Sequence, residues 1–348
     1  MNMDINEIIH NIKPELYGYL HDTKNEDVCM LSIEKKIDRP FSTVAFFTVH
    51  TKTSNKYDFV LKIIRHNSIN KKITEKENQA TVEYNILKKL FPKFASVKGC
   101  SVPEPVLVKP KFELYVMHFV KGTLLMDNFK YTRILSPRKK FHTLKKNMYQ
   151  CGQWLRYFQK FTGQEYKESN KAFESVLERA EDRLNLIDNI KSEYIPIDFK
   201  KTTMHFFEEQ RKKIKDSKIL VSGRHGDFSP LNMISDPKGL TVIDFLGYQK
   251  DPLPVDILKI LIFLEDERMA FTSSSKRVLC LEKAFLSGYS DKVQASKQEI
   301  LICEGMQRIV SIYGHLSHKN QLFHHRREAI KIINNHISWF MNQKTPVG

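Results

Sequence analysis

Short runs rich in Val, Phe, Ile and Thr near residues 27–35, 42–50 and 57–65 break at polar turns such as Thr51-Lys52-Thr53-Ser54-Asn55-Lys56. This pattern predicts an antiparallel meander. A helical period follows from about residue 73 to 91, with Ile86, Leu87 and Leu90 on one face and Pro92 as the expected stop. Two further strands fit 104–108 and 112–119, parted by Lys109-Pro110-Lys111. Residues 3–20 read as a short amphipathic helix. Beyond Val120-Lys121-Gly122 the texture turns helical, at roughly 144–162, 170–190, 196–216, 254–268, 276–288, 295–316 and 325–342. The expectation is an α+β chain in three parts. Residues 1–26 form an N-terminal helical extension, and 27–120 a small lobe of five antiparallel strands and one helix. Residues 121–348 form a larger, mostly helical lobe. No internal repeat or low-complexity tract interrupts this plan.

Composition narrows the class. With 348 residues, 41% hydrophobic and 11% aromatic, the chain exceeds a single core and is too apolar for disorder. Five scattered cysteines with no Cys-x-x-Cys pair point to free thiols in a reducing compartment. The acidic, non-apolar start and the shortness of the apolar run Ile260–Leu264 predict a cytoplasmic protein without a spanning helix. A net charge of +16 favours anionic partners, with basic clusters at Lys71-Lys72, Arg138-Lys139-Lys140 and Arg211-Lys212-Lys213. It allows peripheral contact with an acidic membrane face. Nucleic acid is not an expected partner, because no recognition module accompanies the charge.

The densest chemistry lies between 225 and 244. Asp227 and Asn232 are five apart in His225-Gly226-Asp227-Phe228-Ser229-Pro230-Leu231-Asn232, the spacing at which a kinase loop places its base and a magnesium-binding amide. Leu240-Thr241-Val242-Ile243 carries Asp244 to a strand end, and Ser235-Asp236-Pro237-Lys238-Gly239 is turn chemistry. A hairpin of 232–234 and 240–244 would set Asn232 and Asp244 with Cβ atoms roughly 5 Å apart. Phosphoryl transfer also needs a lysine on the donor phosphates and a carboxylate to orient it. Lys62 stands alone among apolar residues in Val60-Leu61-Lys62-Ile63-Ile64, and Glu83 leads the apolar face of the next helix. The expected ion pair is Lys62–Glu83, with Glu75 and Glu77 as substitutes.

Together with Met117-His118-Phe119-Val120-Lys121-Gly122 and Ile243-Asp244-Phe245, these residues resemble the aminoglycoside phosphotransferase/choline kinase-like family over roughly residues 30 to 270. The resemblance implies a bilobal protein-kinase-like fold. It implies that Asp227 is the base and that Asn232 and Asp244 hold Mg2+ (or Mn2+). Lys62 and Glu83 would serve ATP or GTP, Met117 would back the adenine pocket, and His118 carbonyl and Val120 N–H would meet the base edge. Asp256 and His225 would support the catalytic loop. Ser229 stands where protein kinases carry lysine, and Asp244 and Asp256 are too close for an activation loop, which points away from protein acceptors. The phosphate-covering loop Asp38–Thr43 lacks glycine, so Ser42 and Thr43 are its candidate phosphate donors.

The expected activity is phosphoryl transfer to a hydroxyl of a small molecule or glycan. Net charge favours a neutral or anionic sugar-containing acceptor over an aminoglycoside or choline. The alternative is a catalytically weakened kinase-fold binding or regulatory module. Glu265-Asp266-Glu267 reads as a solvated helix end, with an acceptor-pocket lining as the alternative the resemblance implies, and His318, His324 and His325 read as a wet helix start.

Overall fold

The computed structural model describes residues 5–65, 78–290, 294–317 and 323–343. The chain divides into two compact units, Met1–Thr123 with Ile234–Tyr248, and Leu124–Met233 with Gln249–Gly348.

In the first unit, α1 (Ile5–Lys24) precedes strands β1 (Val28–Asp38), β2 (Ser42–Thr51) and β3 (Lys56–Ile64). Helix α2 (Gln79–Phe94) is followed by β4 (Cys100–Ser101), β5 (Pro105–Lys109), β6 (Leu114–His118) and β7 (Thr123–Leu124). A five-stranded antiparallel sheet runs β1-β2-β3-β6-β5. Strand alternation divides its side chains. Phe59, Leu61, Leu114 and Val116 join the core with Ile8, Ile12, Leu16 and Leu20 of α1. Lys62 and Tyr115 point to the other face, where Glu83 of α2 meets both. The helix is capped by Asn78, whose side chain accepts from Thr81 N–H at 3.0 Å.

One expectation changes here. Helix α2 runs through Pro92 to Phe94, because a proline in the last turn removes only one hydrogen bond of a helix already anchored by Ile86, Leu87 and Leu90. Glu75, Glu77 and Lys71-Lys72 lie outside the described residues. The hairpin forms from β10 (Met233–Ser235) and β11 (Leu240–Val242), neighbours in a second sheet ordered β4-β11-β10-β7. Its turn is closed by Asp236 N–H on Gly239 carbonyl at 3.0 Å and by Asp236 Oδ1 accepting from Lys238 and Gly239 N–H.

The second unit holds α3 (Arg138–Thr162), α4 (Ser169–Ile190), α5 (Phe199–Lys213), α6 (Pro254–Met269), α7 (Ser275–Tyr289), α8 (Lys297–Ser317) and α9 (Phe323–Asn342). Phe173, Leu184, Phe207, Ile302, Ile309 and Phe340 are among its buried core. It also contains a small antiparallel sheet, β12-β9-β8, of Gln249–Pro252, Lys218–Arg224 and Glu165–Glu168. That sheet is absent from the sequence expectation: β8 and β12 are mostly polar, and only Ile219-Leu220-Val221 carried an apolar signal.

Helices α3 and α7 approach through two glycines. A Cβ on Gly152 would lie 2.0 Å from Phe285 carbonyl oxygen, and one on Gly288 1.9 Å from Tyr149 carbonyl oxygen. Neither backbone atom can swing aside. Gly288→Ala is expected to cost about 1–3 kcal/mol and lower the thermal midpoint by roughly 2–10 °C. Gly18→Ala, exposed in α1 with no atom within 4 Å of its Cβ, is expected to stabilise by about 0.5–1 kcal/mol. Calorimetry of the two variants checks both signs.

Candidate active site

In the first unit, Lys62 donates to Glu83 Oε1 and Oε2 at 2.8 and 2.9 Å and to Asp244 Oδ1 at 2.8 Å. Glu83 is wholly buried and also accepts from Tyr115 hydroxyl at 2.9 Å and Phe245 N–H at 3.1 Å. Burial would lower the Lys62 pKa, but Asp244 and Glu83 outweigh it and hold the ammonium charged. Burial in turn pushes Glu83 up, against the pull of that ammonium. One lysine thus faces two carboxylates, a combination left with an excess negative charge when both are ionised. Asp244 is the adaptable partner: its side chain keeps 29% of its exposure, against none for Glu83. It also sits at φ 68°, a left-handed strain that non-glycine residues show mainly where the chain must aim a side chain.

The other first-unit candidates are placed as follows. Met117 is buried on β6. His118 hydrogen-bonds Tyr19 hydroxyl at 3.0 Å and lies 3.7 Å from Glu104; burial lowers its pKa. Val120 follows the strand, half-buried. Ser42 and Thr43 open β2 and are buried, and Thr43 hydroxyl donates to Asp38 at 2.9 Å. That hydroxyl is therefore committed within the loop, whose turn is drawn tight by Arg39 N–H on Ser42 carbonyl at 2.8 Å.

In the second unit, the loop after β9 carries His225, Asp227 and Asn232. Gly226 takes φ 103°, a value closed to most side chains, and so turns the chain between the buried His225 and Asp227. His225 packs against Trp154, Phe158 and Phe228, and its Nδ1 accepts from Asp227 N–H at 3.3 Å. Its own N–H donates to Asp256 Oδ2 at 2.8 Å. Burial, with the neighbouring charge of Asp251, raises Asp256 to about 7 against the opposing His225 hydrogen bond. Asn232 Nδ2 donates to both the carbonyl and Oδ2 of Asp227, each at 2.9 Å. That bonding engages the amide nitrogen of Asn232 and leaves its oxygen as an acceptor.

Sequence reasoning missed two supports. Lys259 lies one helical turn after Asp256 and reaches Asp227 Oδ1 at 3.4 Å, so a single face of α6 holds both the loop backbone and the Asp227 carboxylate. Buried Asp251 pairs with Arg179 and Arg224 at 2.8 and 2.7 Å, fixing the strand that delivers His225. The i, i+3 spacing of Asp256 and Lys259 was a usable signal; the Asp251 partners come from distant helix and strand positions and left none.

A pocket of about 530 Å³ opens beside Asp227 within the second unit, lined also by Lys259, Asp266, Glu267, His315 and Glu328. The acidic end of α6 is therefore a pocket wall, which corrects its reading as a solvated helix end. Burial alone would raise Asp266, but hydrogen bonds from His315, His336 and Ser311 bring it to about 2. Burial, then the charges of Asp266 and Glu328, push Glu267 to about 7. Glu265 instead pairs with Arg308 at 2.9 Å and accepts from Asn335 at 2.7 Å. His318 lies outside the described residues, as do the side chains of His324 and His325.

No family model and no curated protein sequence matches the chain. Solved structures do match. A candidate aminoglycoside phosphotransferase from Ralstonia eutropha JMP134 aligns with TM-score 0.62 and 13% identity over 97% of this chain and 98% of its own. A glucosamine kinase in complex with glucosamine, ADP and inorganic phosphate aligns with TM-score 0.53 and 10% identity over 99% and 100%. Choline kinase from Cryptosporidium parvum Iowa II aligns with TM-score 0.54 and 10% identity over 98% and 95%. The chain has the protein-kinase-like α+β fold of aminoglycoside phosphotransferase/choline kinase-like structures.

A carboxylate and an amide oxygen are each hard-cation donors. Asp244 has a partly exposed carboxylate and Asn232 an amide oxygen. Among the described residues no group of three or more His, Cys, Asp or Glu side chains is arranged to hold a metal by itself.

Proposed function

We propose that the chain is a phosphotransferase that moves the γ-phosphoryl group of ATP or GTP to a hydroxyl of a small molecule. The observation that carries this reading is Lys62 held between buried Glu83 and partly exposed Asp244, a pairing whose excess carboxylate charge a divalent cation would offset. Lys62 would hold the donor phosphates. Asp244 and Asn232 would hold Mg2+ (or Mn2+), which neutralises phosphate charge when bound. Asp227 would orient the acceptor hydroxyl and take its proton. The acceptor oxygen then bonds to γ-phosphorus as the bond to the β–γ bridging oxygen breaks, its electron pair leaving on the nucleoside diphosphate. His118, Met117 and Val120 would line the base edge, and His225 and Asp256 would hold the loop.

The pocket beside Asp227 favours an acceptor that carries a cationic amine, opposite to the anionic sugar that net charge suggests. Carboxylates of Asp266, Glu267 and Glu328 line it together with Asp227. Charges on the far surface are screened within about 8–10 Å, so lining residues decide what enters. Kinases of glucosamine and of choline share the fold; glucosamine is an amine and choline a quaternary ammonium, so both carry a basic or cationic nitrogen.

The test is an ATP–Mg2+ transfer assay across amino sugars, amino alcohols and anionic sugars. Amine acceptors are expected to turn over best. Their KM should fall about tenfold as pH rises through about 7, where Glu267 ionises. Glu267→Gln should flatten that dependence. The same group affects stability with a definite sign. Its folded pKa lies above 4.5, so the folded state gains from the bound proton at low pH, and that gain is lost as pH rises through about 7. Turnover confined to anionic acceptors would overturn the amine reading, and absence of Mg2+-dependent nucleotide binding would favour a binding module instead.

A further inference from the structure

Residues 133–137, just before α3, expose Ile134 at 72% and Leu135 at 97% of their full surface. Isolated exposed apolar residues are ordinary, but this pair is held out by a dense set of bonds. Arg277 of α7 donates to the carbonyls of Tyr131, Arg133 and Ser136 at 3.0, 2.6 and 3.0 Å. Its guanidinium also lies 5.0 Å from the ring centre of Phe141. Ser274 N–H reaches Thr132 carbonyl at 3.0 Å, and Ser136 N–H reaches Arg133 carbonyl at 3.1 Å. The loop is thus fixed with two aliphatic side chains facing water.

The charge around it is one-sided. No Asp or Glu occurs between Asp127 and Glu165, while that stretch carries nine Lys and Arg. Arg133, Arg138, Lys139 and Lys140 flank the pair in sequence, and all four are exposed. Other basic segments differ: on α5, Arg211-Lys212-Lys213 follows Glu208-Glu209, and Lys212 is paired to Glu209 at 2.7 Å.

We propose that Ile134 and Leu135, with the cationic residues beside them, form a docking tip for the surface of an anionic lipid bilayer. An exposed aliphatic pair enters the acyl–headgroup boundary, while neighbouring lysines and arginines meet anionic headgroups. A second copy of the chain would bring the same positive charge to the contact, and aliphatic side chains offer no plane for stacking nucleic-acid bases. No helix among the described residues is long and apolar enough to cross a membrane, so the contact is a peripheral one. The lipid surface is a platform here and need not be the acceptor.

The experiment is co-sedimentation of the full chain with phosphatidylcholine vesicles, with and without phosphatidylglycerol. Binding is expected only where phosphatidylglycerol is present. Ile134→Ser/Leu135→Ser should lower the partition coefficient about tenfold. Arg138→Glu/Lys139→Glu/Lys140→Glu should abolish binding, whereas Arg211→Glu/Lys212→Glu/Lys213→Glu, an equal change of net charge, should leave most of it. All these positions lie outside the proposed catalytic machinery, so unchanged thermal midpoints and transfer rates separate the result from misfolding. Equal loss from both triple variants would reduce the effect to bulk charge and overturn the proposal. So would full binding by the Ile134/Leu135 variant, absence of binding by the wild type, or retention of DNA in place of vesicles.

Discussion

Replacing Asp227 with Ala is expected to lower kcat for phosphoryl transfer by about 10²–10⁴-fold while nucleotide affinity changes only a few-fold. The asymmetry follows from where the side chain is held. Asp227 takes its hydrogen bonds from Asn232 and its ion pair from Lys259, all within the second unit, and it lines the pocket assigned to the acceptor. The proposed donor grip is a separate set of residues, Lys62, Glu83 and Asp244. Rates from a coupled ADP-release assay, beside nucleotide titration, check both halves. Lys259→Met sharpens the test. Loss of the ion pair that steadies the Asp227 carboxylate should lower kcat while leaving nucleotide affinity nearly unchanged. Wild-type turnover in Asp227→Ala would remove that carboxylate from the chemistry.

The second large effect concerns Glu83. Glu83→Ala is expected to destabilise the fold by about 3–5 kcal/mol, because it strips a buried lysine of a bidentate partner. It also leaves Tyr115 hydroxyl and Phe245 N–H without their acceptor. Glu83→Gln keeps an acceptor for both and should lose less stability. The double variant Lys62→Met/Glu83→Gln should regain part of the folding free energy lost in Glu83→Ala, because it removes the stranded buried ammonium and keeps an acceptor for Tyr115 hydroxyl and Phe245 N–H. Nucleotide binding should remain lost. Denaturation midpoints measured beside nucleotide-induced thermal shifts separate the structural from the functional role. Stability and nucleotide binding recovered together would mean that Lys62 serves packing alone.

Much of this was legible along the chain because the signals are local. The Val60–Ile64 strand with one lysine, the Asp227–Asn232 spacing and the Asp236–Gly239 turn each involve near neighbours, and each appears in the fold. Long-range polar partners were not legible. Lys62 is bound to Asp244, 182 residues away, and nothing near Lys62 announces that second partner. Thr43 illustrates a subtler miss: its hydroxyl, a candidate for phosphate, is already spent on Asp38.

The acidic wall of the pocket marks the limit most clearly. In sequence, Glu265-Asp266-Glu267 is three charges at a helix end, which solvent would ordinarily claim. Packing of α6 against α8 and α9 gives each carboxylate a different environment. Glu265 faces Arg308 and Asn335, Asp266 faces two histidines and Ser311, and Glu267 has burial and like charge. Sequence by itself determined most element types, the five-stranded antiparallel sheet with Lys62 set among apolar residues, and the loop bearing Asp227 and Asn232, because local periodicity and turn chemistry specify those. Only tertiary structure decided which carboxylates share Lys62, that Lys259 attends Asp227, and that the pocket is acidic in a strongly basic chain. Burial and distance set those interactions, and neither is written in the order of residues.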